Sequence, residues 1–133
     1  MDGSDRDFDE VVDLKLNFIL LANGRPYESL TIYGVVISSA YGLPVLRPAI
    51  VQACRSRLDN VDVGLLDIYA TNWTIAKSKE VLKKLRGLGE REHINIDDWN
   101  VIKFDELDLV RETVGNEQPP SNAIHLVVDC TAA

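Results

Sequence analysis

The feature that most restricts the fold is the apolar run near the C-terminal end, residues 123–130. Ile124, Leu126 and Val128 on one parity and Val127 on the other put apolar side chains on both faces of an extended chain, so a strand formed here needs cover on both faces. A strand buried on both faces belongs in the middle of a sheet. Its partner is sought among segments with a strand period. Residues 11–22 supply one, with Leu14, Leu16, Phe18 and Leu20 on one face and Lys15 and Asn17 on the other. Ile19 and Leu21 blur the alternation toward its end. Pairing these two segments in parallel at the sheet centre is the expected core of the fold.

The remaining elements follow from period and punctuation. Asn23, Gly24, Arg25 and Pro26 carry turn chemistry, which predicts a hairpin whose second arm covers residues 29–38. In that arm Leu30 and Ile32 stand against Thr31 and Tyr33, and Gly34 interrupts the pattern. Residues 44–57 change to helical spacing through Leu46, Ile50, Ala53, Cys54 and Leu58. Pro48 fits best in a first turn, so the helix is expected to begin near Leu46 or Arg47. After a turn at Asp59 and Asn60, residues 64–70 read as a strand. Residues 78–88 read as a short amphipathic helix through Val81, Leu82 and Leu85, stopped by Gly87 and Gly89. A brief strand at 99–104 and a helical turn at 104–114 built on Leu107, Leu109 and Val110 complete the set. Residues 115–122 are punctuation, since Pro119 and Pro120 cannot donate to a ladder.

In this order the elements describe an α+β domain of the ubiquitin-like β-grasp type, a mixed sheet packed on one main helix. The expected organisation is a flexible acidic leader, residues 1–10, followed by one folded domain, residues 11–131. With 133 residues, 46% of them hydrophobic and 26% charged, the chain suits a single globular core. A net charge of -7 argues against nucleic acid as a partner, because phosphate binding needs clustered cations. The acidic start lacks the pattern of a signal peptide, and no apolar stretch has the length of a membrane span.

Three segments, in order, resemble the N-terminal header domain of Crinkler effectors, the LFLAK-type family. Leu66-Asp67-Ile68-Tyr69 is similar to the first four positions of the family's name-giving motif L-x-L-[FY]-L-A-K, although Ala70, Thr71 and Asn72 depart from its end. The acidic stretch from Asp105 to Val110, then Pro119 and Pro120, resembles the piece that leads to the family's closing motif H-V-L-V-x-x-P. His125-Leu126-Val127-Val128 is the counterpart here, with Thr131 where the family has Pro. The resemblance covers roughly residues 14–130. It implies a non-enzymatic, ubiquitin-like module of a secreted protein, serving protein recognition and delivery into a host cell. It also implies that an effector domain would follow. An intracellular β-grasp adaptor docking a partner through a sheet edge or a basic helix is the alternative.

Chemistry-bearing residues are sparse. His93 and His125 lack partners at catalytic or metal spacing, and a structural role is expected for His125. Asp97 and Asp98, with Glu90 and Glu92, lack the alternation of a calcium loop. Cys54 and Cys130 read as buried small hydrophobes, with a single disulfide as the other reading. No catalytic residue, metal ligand or cofactor is assigned. The chain does not end in the Gly-Gly needed for conjugation. Lys77, Lys79, Lys83, Lys84 and Arg86 gather around the second helix, with Arg47, Arg55 and Arg57 on the first. The former group is the candidate partner surface; Lys83 to Arg86 also has the form of a nuclear-import run. Asn72-Trp73-Thr74 has the form of a glycosylation acceptor. Trp73 and Trp99 are expected in the core.

Overall fold

The computed structural model describes residues 11–22, 24–26, 30–54 and 66–130. Residues 1–10, Arg55, Arg57, Leu58, the turn at Asp59 and Asn60, and Gly64 lie outside them. The described chain is an α+β structure built on a six-stranded mixed sheet. Strand β1 is Asp13–Ala22, β2 Arg25–Pro26, β3 Tyr33–Ser38, β4 Asp67–Ala70, β5 Ile102–Lys103 and β6 Leu126–Asp129. Helix α1 is Leu43–Ala53, α2 Ile75–Arg86 and α3 Val110–Thr113.

The apolar strand near the end of the chain lies where its composition demands. β6 pairs in parallel with β1, Phe18 opposite Leu126 and Leu20 opposite Val128, and antiparallel with β4 on its other side. β3 pairs antiparallel with β1, and β5 with β4. The lateral order is therefore β3, β1, β6, β4, β5, with β2 extending the β3 side as a tight hairpin at Leu21 and Ala22.

Two cores flank the sheet, where the sequence suggested one main helix. Leu14, Leu16, Phe18 and Leu20 of β1, with Leu126 and Val128, pack beneath α1 through Leu43, Leu46 and Ile50. The other parity, Ile19, Leu21 and Val127, packs with Val81, Leu82 and Leu85 of α2 and with Trp73 and Trp99. The blurred alternation at the end of β1 is thus a second buried face. Each Trp meets the other edge to face at 5.4 Å, and Trp73 Nε1–H donates to the Trp99 carbonyl.

Several boundaries move for identifiable reasons. α1 begins at Leu43, ahead of the expected start, so Pro48 stands inside the helix. A proline there forfeits one backbone bond and costs about 3 kcal/mol. The early start adds Leu43 to the buried face of Leu46 and Ile50, and its burial returns roughly 1.5–3 kcal/mol, of the same order as that cost. Gly42 offers its carbonyl to Val45 and Leu46 at that start. Ala53, placed on the apolar face by its spacing, is exposed. α2 begins at Ile75 because Thr74 caps it, its hydroxyl accepting from Lys77 N–H at 3.1 Å. The second hairpin arm is Tyr33–Ser38 alone, with Val35 and Ile37 turned inward and Ile32 exposed. Gly34 sits in regular register opposite Asn17 and interrupts nothing. Trp99 belongs to a 3-10 turn before β5, and Leu107 is 92% exposed.

Candidate functional site

The first and last of the three segments singled out in the sequence lie on neighbouring strands although they are far apart in the chain. Ile68 lies opposite Val128 and Tyr69 opposite Val127 on neighbouring strands. Leu66, Ile68, Leu126, Val127 and Val128 are all buried, and Tyr69 packs partly against the α2 core. These residues build the centre of the sheet.

His125 is a fastener. Its Nδ1 accepts the Asn17 N–H at 2.8 Å, which places the ring proton on Nε2, and Nε2–H donates to the Pro120 carbonyl at 2.6 Å. Burial holds its pKa below the ordinary 6.5, opposed by the Pro120 contact. Gln118 acts similarly one step along β1. Its side-chain amide accepts from Lys15 N–H and donates to Lys15 C=O, both at 2.8 Å. Because Pro119 and Pro120 cannot continue the β6 ladder, these two side chains stand in for a strand beside the first half of β1. Asn17 ties the same loop through the Ser121 and Ala123 carbonyls.

Neither cysteine is poised for chemistry. Both are free and buried; burial pushes the Cys54 thiol up to about 11 and Cys130 to about 12, where Asp129 and Cys54 add to the effect. Glu92 spends its carboxylate on the Gly89 N–H, and the Asp97 side chain lies outside what is described. His93 is exposed. Asn72 is exposed in the left-handed region, φ 53°, while Thr74 of the same tripeptide is engaged as the α2 cap.

The basic residues divide. Arg47 is not a surface cation: only 13% of its side chain is exposed, and it bonds the Leu66 carbonyl and Glu106. On α2, Lys77 pairs with Glu80 at 3.0 Å. That hydrogen bond and charge, followed by the charge of Lys84, hold the Glu80 carboxyl below its usual range. Lys79, Lys83 and Arg86 remain exposed with no ion pair among the described residues. Their i, i+4, i+7 spacing aligns them in one stripe along the helix. Beside it lies a groove of about 560 Å³, lined by Ile32, Ile75, Leu82 and Ile124 with Lys79 at its border and Asn17 also contributing. The spacing signal was present in the sequence, but the groove was not, since its walls come from four separate segments.

No family model, curated protein or solved structure matches the chain. No helix among the described residues is long and apolar enough to cross a membrane.

Proposed function

We propose that the chain is a non-enzymatic recognition module of the ubiquitin-like β-grasp type that binds acidic protein segments on the outer face of α2. The reading rests chiefly on the coincidence of the Lys79, Lys83 and Arg86 stripe with an apolar groove at its foot, on a chain of net charge -7. An acidic peptide with an aliphatic anchor suits both features, the charges steering it and the groove holding the anchor. The same net charge favours protein over nucleic acid.

The β-grasp assignment is supported by a lateral order that returns the last strand, in parallel, beside the first, and by α1 connecting β3 to β4. Against a catalytic reading, both ring nitrogens of His125 are engaged and both thiols are held protonated. A Crinkler-type N-terminal domain is the specific form proposed, secreted and working inside a host cell, and its support is the residue resemblance. The test uses synthetic Asp- and Glu-rich peptides carrying one Leu or Ile, with fluorescence anisotropy as readout. Neutralising Lys79, Lys83 and Arg86 together to Gln should leave the melt unchanged and weaken binding about tenfold or more, since exposed ion contacts are worth up to about 1 kcal/mol each. Raised salt should weaken it as well. Binding that ignores both changes, or no binding by any such peptide, overturns the reading.

A further inference from the structure

Large apolar side chains are exposed unevenly. Of the eight such residues among the described ones, Val36 lies in β3, Ile32 directly before it and Tyr41 shortly after it, while Val11 precedes β1 and Val45 stands in the first turn of α1. Residues 30–45 contain no charged side chain at all. Sheet edges are ordinarily protected by charge, proline, bulges or brevity, because their open backbone groups can pair with another chain. The opposite edge follows that rule: β5 is two residues long, and its Lys103 pairs with Asp67 at 3.5 Å. β3 has six residues in unbroken register, with neither charge nor proline.

Its open backbone groups can be placed. Ser39 N–H bonds the Val12 carbonyl, so antiparallel alternation directs Tyr33, Val35 and Ile37 toward β1 and Gly34 and Val36 away from it. No strand among the described residues lies on that side. We infer that β3 is a pairing edge for a second copy of this chain, two protomers joining antiparallel about a two-fold axis through Val35 to form one continuous sheet.

Two observations select this occupant. The seam is neutral, so two copies of an acidic protein meet there without placing like charges opposite one another. The edge is also self-complementary. A two-fold axis at Val35 sets each Val36 opposite Gly34 of the partner subunit, and a Cβ built on Gly34 meets nothing within 4 Å. The valine methyls enter that open space while the N–H and C=O of Gly34 and Val36 pair reciprocally. A seam one strand wide is a small interface, so the dimer is expected to be transient and concentration-dependent.

The inference stands on a different element from the basic stripe, and salt separates the two. Screening relieves repulsion between protomers of charge -7 and tightens the dimer, whereas it weakens acidic peptides on α2. Sedimentation velocity on the full chain, over a concentration series in low and raised salt, should give a dimer favoured by salt. Val36→Lys should raise its dissociation constant about tenfold or more without changing the melt, since Val36 is 59% exposed in the protomer. Val36→Pro should act likewise, because it deletes an N–H that the protomer's own ladder does not use. Ile102→Lys on the other edge should leave association unchanged, as should the Lys79, Lys83 and Arg86 to Gln variant. A monomer at every concentration in both salts, a dimer that survives both Val36 changes, or equal disruption by Ile102→Lys overturns the inference.

Discussion

At the scale of single residues, protonation of His125 sets a hydrogen-bond donor against another donor. Nδ1 already receives the Asn17 N–H at 2.8 Å, so a proton there breaks the bond, and burial disfavours the charge as well. The folded pKa therefore lies below the ordinary 6.5 of the unfolded chain. With a depressed folded pKa, the unfolded state binds protons first. The stabilising contribution is fully present above 6.5, declines as the pH falls through that value, and is exhausted below the folded pKa. Urea melts between about pH 7.5 and 5.5 should show this loss before the carboxylates titrate. His125→Asn, whose amide oxygen can stand where Nδ1 does, should flatten the dependence in that window; an unchanged slope would assign it to other groups. At Gly24 the constraint is steric. It has φ +74°, and an added Cβ would collide with the Ile94 carbonyl oxygen, where the hairpin tip docks on the segment after α2.

At the scale of elements, α1 shows burial overruling local preference. Leu43 joins Leu46 and Ile50 in the core because the helix begins early, which traps Pro48 in its second turn and leaves the Pro44 carbonyl without its intrahelical donor. Pro48 is exposed, so replacing it disturbs no packing. Pro48→Ala should raise stability by about 1–3 kcal/mol in urea melts. No gain would mean that the proline's restriction of the unfolded chain offsets the bond it removes. α2 has the opposite character: a capped start, a Gly87 stop and Lys83, Lys84 and Arg86 in its last turn agree with its sequence. Its outer stripe is therefore free to vary without risk to the helix.

At the scale of the whole molecule, the sheet is a middle layer, and β6, like β1 beside it, serves both covers. Val127 faces the α2 core and Val128 the α1 core, each with no exposed surface. Val127→Ala and Val128→Ala should therefore each cost about 2 kcal/mol in denaturant melts. A domain covered by one helix alone would lose stability at only one of the two positions. Val36→Lys at the sheet edge should be close to neutral beside them.

Periodicity carried much of this into the sequence. A strand with apolar side chains on both faces, Leu126, Val127 and Val128, announced its central place, and Leu14, Leu16, Phe18 and Leu20 announced the face of β1 that lies beneath α1. Hydrophobic spacing records which side of an element is buried, because that depends only on local geometry and water. It does not record what covers the element. Ile19 and Leu21 looked like noise until α2 stood over them. Arg47 looked like a surface cation until the Leu66 carbonyl and Glu106 met it. The fastening of the loop before β6 depended on pairs 103 and 108 positions apart, Lys15 with Gln118 and Asn17 with His125. Local spacing set the faces, and the approach of distant segments decided which side chains would serve as backbone, as core or as open surface.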